Sequence, residues 1–122
     1  KLLLVTRKDY GGSYLAMCSK DLGADMAFAW PSAEIAVMGA AGAANIIHRK
    51  EIKGADDPKS KREEKIKAYE TLFSNPYCAA NRGYIDAVIV PSETRSRLID
   101  ALEALCTKRE LRPAKKHGNI PM

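Results

Sequence analysis

Short apolar runs alternate with helix-period segments along this chain, and that alternation restricts it to an α/β fold. Leu2–Thr6 is too short for a core helix and reads as a buried strand. Arg7–Ser13 reads as a loop in which Gly11 and Gly12 permit unusual backbone angles. Ser13–Lys20 then has the pattern of a short helix, with Tyr14, Leu15, Met17 and Cys18 inward and Gly23 as its stop. Ala24–Trp30 puts Met26, Phe28 and Trp30 on one face at period two. Pro31-Ser32 makes a turn, and Glu34–Met38 is a further strand. After Gly39-Ala40-Ala41-Gly42, a helix is predicted from Ala43 to Lys53.

Asp56-Asp57-Pro58 interrupts that pattern, and Lys59–Ser74 follows as a highly charged helix. Its apolar stripe is narrow (Ile66, Tyr69, Leu72, Phe73), and Glu63 and Lys67 stand at ion-pairing distance along it. Asn75-Pro76 opens a short helix to Asn81, ending near Gly83. Ile85–Val90 reads as a strand closed by Pro91. Ser92 is the predicted N-cap of a last helix, with Leu98, Ile99, Leu102, Leu105 and Cys106 as its apolar face. No internal repeat is visible. A chain of 122 residues suits one domain or a large piece of one. It opens inside an apparent buried strand, Lys1-Leu2-Leu3-Leu4-Val5, and so reads as a fragment of something longer. That run is too short for the centre of a secretory signal, and no run is long enough to span a bilayer.

The net charge of +5 does not read as a nucleic-acid signal. Most of it sits in Thr107–His117, where Lys108, Arg109, Arg112, Lys115 and Lys116 face only Glu110. No basic face carries interleaved aromatics. The cysteines Cys18, Cys78 and Cys106 are odd in number and lack metal spacing, so they are expected as buried free thiols in a reducing cytoplasm. His48 and His117 read as surface residues. No metal motif, nucleophile elbow or spaced carboxylate pair is present. If this chain serves an enzyme, its sequence advertises no side-chain catalytic machinery.

Two glycine segments remain. Gly11-Gly12 lies between an apolar strand and a helix, where backbone N–H groups at a helix start can meet an oxyanion. The plainer reading is a tight turn. Gly39–Gly42 has the same setting but lacks the Lys-Ser/Thr of a phosphate loop, so it reads as small residues packed densely.

The stretch Arg7-Lys8-Asp9-Tyr10-Gly11-Gly12-Ser13-Tyr14 resembles the RKxYGGxY motif of biotin-dependent acyl-CoA carboxyltransferase subunits. Leu22-Gly23-Ala24-Asp25 and Ala29-Trp30-Pro31-Ser32-Ala33-Glu34-Ile35-Ala36-Val37-Met38-Gly39 are similar to that family's LGAD and AWPxAEIAVMG. Gly42–Ile47, Arg49–Ile52, Asn75-Pro76-Tyr77, Arg82–Asp86, Thr107-Lys108-Arg109 and Lys116–Pro121 extend the likeness over nearly the whole chain. The family includes propionyl-CoA carboxylase β subunits, the large subunit of methylmalonyl-CoA transcarboxylase and α subunits of methylmalonyl-CoA decarboxylases.

The resemblance implies a crotonase-like α/β fold of stacked ββα units. Residues 1–122 would be the C-terminal part of the carboxyltransferase C-domain, with the N-domain lying outside them. It implies transfer of a carboxyl group between biotin, on a biotin carboxyl carrier protein, and the α-carbon of a short acyl-CoA such as methylmalonyl-CoA or propionyl-CoA. Backbone oxyanion holes would hold the enolate and the ureido anion. One hole maps onto the N–H groups of Gly12 and Ser13. Gly11, Tyr14 and Leu15 would border substrate, and a neighbouring subunit's N-domain would supply the other hole. Family members form homo-oligomers, usually hexamers. They are expected in the cytoplasm, peripheral to the membrane where a decarboxylase recruits membrane-linked subunits. Ser13 replaces the Ala of many members, and Ser-Tyr-Leu-Ala-Met-Cys leans towards the transcarboxylase and decarboxylase branch. The rival readings are a crotonase-type enoyl-CoA hydratase or isomerase, which wants positioned carboxylates, and a non-catalytic assembly module.

Overall fold

The computed structural model describes residues 1–111. The remaining tail, with His117 and the Lys116–Pro121 motif, lies outside the described residues. Strands β1 (Leu2–Val5), β2 (Lys8–Tyr10), β3 (Met26–Ala29), β4 (Glu34–Ala36) and β5 (Ala87–Val88) form two parallel sheets. One has the order β1-β3-β5, and the other pairs β2 with β4. Helices α1 (Gly12–Ala16), α2 (Ala40–Ile47), α3 (Arg49–Lys53), α4 (Pro58–Leu72), α5 (Pro76–Asn81) and α6 (Thr94–Ala104) connect and cover them.

The sequence shows no repeat, but the structure does. β1-β2-α1 and β3-β4-α2 are successive ββα units, and each strand of the first lies parallel beside its counterpart in the second. This is the crotonase-like α/β arrangement expected above.

Period two explains why the larger sheet has two apolar faces. Leu3, Val5, Ala27 and Ala29 point one way and pack with Tyr14, Ala33, Ile35, Ala79 and Ile85. Leu2, Leu4, Met26, Phe28 and Trp30 point the other way and pack with Ile89 and with Leu98 and Ala101 of α6. Trp30 Nε1–H also donates to Thr94 Oγ1 at 2.9 Å, pinning the end of β3 to the start of α6.

Several boundaries differ from the sequence reading. Lys8–Tyr10 is a strand rather than loop, because β4 supplies its partners in the register Lys8↔Glu34, Asp9↔Ile35, Tyr10↔Ala36. α1 ends at Ala16, since Cys18 takes a left-handed φ of 77°; a 3-10 turn at Lys20–Leu22 follows and Gly23 stops that turn instead. Leu15 and Met17, predicted inward, are exposed, whereas Tyr14 is buried. The helix predicted over Ala43–Lys53 starts at Ala40 and breaks at His48 into α2 and α3. β5 is shorter than Ile85–Val90, because the Asp86 carboxylate accepts the Ala27 N–H at 2.8 Å where a longer ladder would continue.

α4 and α5 form as predicted. Asp57 Oδ1 accepts from Lys59 and Ser60 N–H, Asn75 Oδ1 accepts from Cys78 N–H, and a proline follows each cap. The ion pairs seen on α4 are Lys61–Glu64 and Lys65–Glu51, not Glu63–Lys67. Ser92 does not cap α6; it lies in a 3-10 turn (Pro91–Glu93), and Glu93 precedes the helix without a side-chain cap. The predicted apolar face of α6 is only partly covered, with Ile99, Leu102 and Cys106 exposed. All three cysteines are free, but none is fully buried: Cys18 and Cys78 are half-buried.

Candidate functional site

The two ββα units bring their strand-to-helix turns side by side. β2 runs into Gly11 and then α1; β4 runs through Val37 and Met38 to Gly39 and then α2. Gly11 N–H donates to the Ala36 carbonyl at 3.0 Å, tying the first turn to the end of β4. Gly11 has φ 52° and ψ −120°, and a Cβ there would stand 2.7 Å from the Val37 carbonyl oxygen. Backbone angle and space both demand glycine at this position.

Gly12 and Ser13 open α1, so their N–H groups have no carbonyl in a preceding turn to bond. Nothing stands within 4 Å of a Cβ built on Gly12, so the space in front of it is open. The Ser13 hydroxyl faces back into the turn. Its oxygen accepts from Tyr10 N–H at 3.2 Å, and its proton can go to buried Asp9 Oδ1 at 3.0 Å or to the Tyr10 carbonyl at 2.8 Å. The side chain therefore shapes the turn, and Gly12 and Ser13 both lie exposed.

Tyr14 lies behind the turn. Its hydroxyl donates to the Tyr84 carbonyl at 2.8 Å, and its ring meets that of Tyr84 edge-on at 6.5 Å. Burial first, and nearby Asp21 and Asp9 second, push its pKa up. A largely apolar cavity of about 560 Å³ opens beside it. Gly11, Tyr14 and Leu15 line this cavity with Val37, Ile47 and Phe73, while Arg82 and Asp21 provide charge. Gly12 and Ser13 are not in its lining. The predicted site residues thus divide into a donor pair on the open side of the turn and a cavity trio beneath it.

Sequence reasoning missed Tyr10 and Glu34. The Tyr10 hydroxyl donates to Glu34 Oε2, and its ring packs on Gly39, with Cε2 3.4 Å from where a Cβ would stand. Burial, and then the Glu34 carboxylate, raise the phenol to about 12. The available signal was an aromatic residue directly before a glycine turn, which a loop assignment hides. His48 is more engaged than a surface assignment implies, since its Nδ1 lies 3.1 Å from Glu51 Oε1. Lys65 first and His48 second hold Glu51 down to about 2. This cluster fastens α3 to α4. Among the described residues, no group of three or more His, Cys, Asp or Glu could hold a metal. None of their helices is long and apolar enough to cross a membrane.

Residues 1–120 match the sequence profile of the carboxyl transferase domain. The chain belongs to the carboxyl transferase family. This carboxyl transferase segment is 64% identical over 121 residues to the methylmalonyl-CoA carboxyltransferase 12S subunit of Propionibacterium freudenreichii subsp. shermanii, covering 99% of this chain and 23% of that protein. It is 60% identical to the methylmalonyl-CoA decarboxylase subunit alpha of Propionigenium modestum, covering 100% of this chain and 24% of the relative. A solved transcarboxylase 12S structure, a hexamer with methylmalonyl-CoA and methylmalonic acid bound, superimposes with a TM-score of 0.90 at 63% identity. That match covers 100% of this chain and 24% of the solved one. The chain therefore spans about a quarter of the length of its relatives. These similarities support the carboxyltransferase reading and not the hydratase, isomerase or assembly-module readings.

Proposed function

We propose that this chain is the C-terminal part of the C-domain of a biotin-dependent carboxyltransferase subunit, and that the subunit transfers a carboxyl group between biotin and the α-carbon of methylmalonyl-CoA or propionyl-CoA. The observation that supports the reading is the Gly11–Ser13 turn: Gly12 and Ser13 start α1 exposed, with no carbonyl in a preceding turn to bond, and the φ and clearance of Gly11 demand glycine. Biotin, borne by a carboxyl carrier protein, supplies the group that accepts and releases the carboxyl.

The residues fit such a partner. Gly12 and Ser13 N–H donate to the ureido oxygen of biotin as negative charge grows there, which is what fixed backbone donors do best. Tyr14 and Leu15 border the acyl group. Tyr14 does so with its ring alone, because its hydroxyl already donates to Tyr84. Asp9 and Glu34, the carboxylates at the turn, already accept from Ser13 and Tyr10, which suits a reaction whose proton traffic runs through the substrates. The N-domain of a neighbouring subunit contributes CoA contacts and the thioester hole, within a homo-hexamer in the cytoplasm. Similarity to transcarboxylase and decarboxylase subunits favours that branch, where a decarboxylase would add membrane-linked partner subunits.

The test is carboxyl exchange between methylmalonyl-CoA and free biotin by the full-length subunit. Exchange supports the proposal. Its absence with every short acyl-CoA would refute it.

A further inference from the structure

The Tyr10 side chain crosses between the two glycine turns. Its backbone ends β2 and pairs with Ala36, and the next N–H, that of Gly11, donates to the Ala36 carbonyl at 3.0 Å. Its ring lies against Gly39 at the start of α2, with Cε2, Cζ and Cδ2 at 3.4, 3.9 and 4.0 Å from the position of a Cβ. Its hydroxyl donates to Glu34, the first residue of β4. One side chain thus touches both ends of the β4 segment while its own backbone holds the first glycine turn.

Charged and buried groups surround the phenol. Glu34 is also 3.8 Å from Lys8 Nζ, its register partner. Ser74 at the end of α4 is buried nearby. Its Oγ makes no hydrogen bond. The Glu70 charge also raises the Tyr10 phenol, after burial and Glu34. The neutral phenol donates to Glu34, and that hydrogen bond together with the Gly39 contact fixes where the ring rests.

We propose that Tyr10 is a positioning residue for carboxyl transfer: its ring, anchored by Glu34, sets the gap between the Gly11 and Gly39 turns and so the aim of the Gly12 and Ser13 N–H groups. The inference rests on the function proposed above. It assigns Tyr10 no contact with substrate. A donor displaced by a fraction of an ångström loses much of its worth in the transition state, whereas substrate binding elsewhere is unaffected.

The experiment compares Tyr10→Phe, Glu34→Gln and Glu34→Ala in the full-length subunit, measuring kcat and both KM values for exchange between methylmalonyl-CoA and free biotin. Tyr10→Phe keeps the ring and removes the anchor; it should lower kcat roughly tenfold and leave KM for methylmalonyl-CoA within about twofold of the parent. Glu34→Ala should match it. Glu34→Gln keeps an acceptor for the phenol and should restore near-parental kcat. Parental kcat in Tyr10→Phe would overturn the proposal. So would equal losses in Glu34→Gln and Glu34→Ala, which point to charge, or a matching rise in KM for methylmalonyl-CoA, which points to general loosening. If Tyr10→Phe does not assemble, Glu34→Ala against Glu34→Gln decides: Glu34→Ala removes the anchor and leaves the ring, and parental kcat in it would overturn the proposal. An unmodified subunit without exchange defeats the proposed function itself. An active one with unaltered Tyr10→Phe defeats only the positioning role.

Discussion

Replacing Gly11 by alanine tests the turn on which the site depends. Alanine would have to adopt φ 52° and ψ −120°, a conformation that costs about 1–3 kcal/mol outside glycine. Its methyl would also stand 2.7 Å from the Val37 oxygen, a backbone atom that cannot swing aside. Relief requires lengthening the 3.0 Å bond from residue 11 to the Ala36 carbonyl, a loss of about 0.5–1.5 kcal/mol. The total is about 1.5–4.5 kcal/mol, which converts to roughly 13- to 2000-fold faster hydrogen exchange at the residue 11 amide. Exchange measured on peptides spanning residues 8–16 reads this directly. Gly12→Ala is the control, since nothing lies within 4 Å of its added methyl, and it should leave exchange unchanged or slightly slower. Exchange in Gly11→Ala within about threefold of the parent would refute the reasoning, because strain of this size cannot leave opening unaltered.

Two further outcomes are expected. Ser13→Ala removes the hydroxyl that bridges Asp9 and Tyr10 but keeps the backbone donor. Thermal denaturation should show a loss of about 1 kcal/mol, while exchange activity stays within roughly threefold of the parent. Lys65 and then His48 hold the Glu51 carboxyl down to about 2, so Lys65→Ala should move the midpoint of its carboxyl titration, followed by NMR, back up towards the ordinary value of 4.5. Its folded pKa is depressed, so its contribution to stability is present above the unfolded pKa and fades as pH falls towards 2. That acid-side loss should shrink in the variant.

Much of the fold was legible because its signals are local. Asn75-Pro76 announces a helix start, and Met26, Phe28 and Trp30 announce a sheet face by period two; Asp57-Pro58 reads in sequence only as a break, although it caps and opens α4. What stayed hidden depends on partners distant in sequence. Lys8-Asp9-Tyr10 has no apolar alternation of its own and becomes a strand only beside Glu34–Ala36. The Asp86 carboxylate, by capturing the Ala27 N–H, shortens a strand whose composition promised more. The ββα repeat carries no sequence self-similarity because its two units share geometry, not side chains. The site shows the same division. Gly11-Gly12-Ser13 is visible as a motif, whereas the Tyr10–Glu34 pair appears only when β2 and β4 lie side by side.

The central claim is that Gly12 contributes a backbone donor and nothing else. Gly12 is the first helical residue, where proline is tolerated structurally but removes the N–H. Exchange between methylmalonyl-CoA and biotin should therefore be compared in full-length Gly12→Pro and Gly12→Ala. The account predicts that Gly12→Pro lowers kcat by about 10²–10³ while Gly12→Ala stays near the parent. A folded Gly12→Pro subunit that exchanges carboxyl at the parental rate would contradict it.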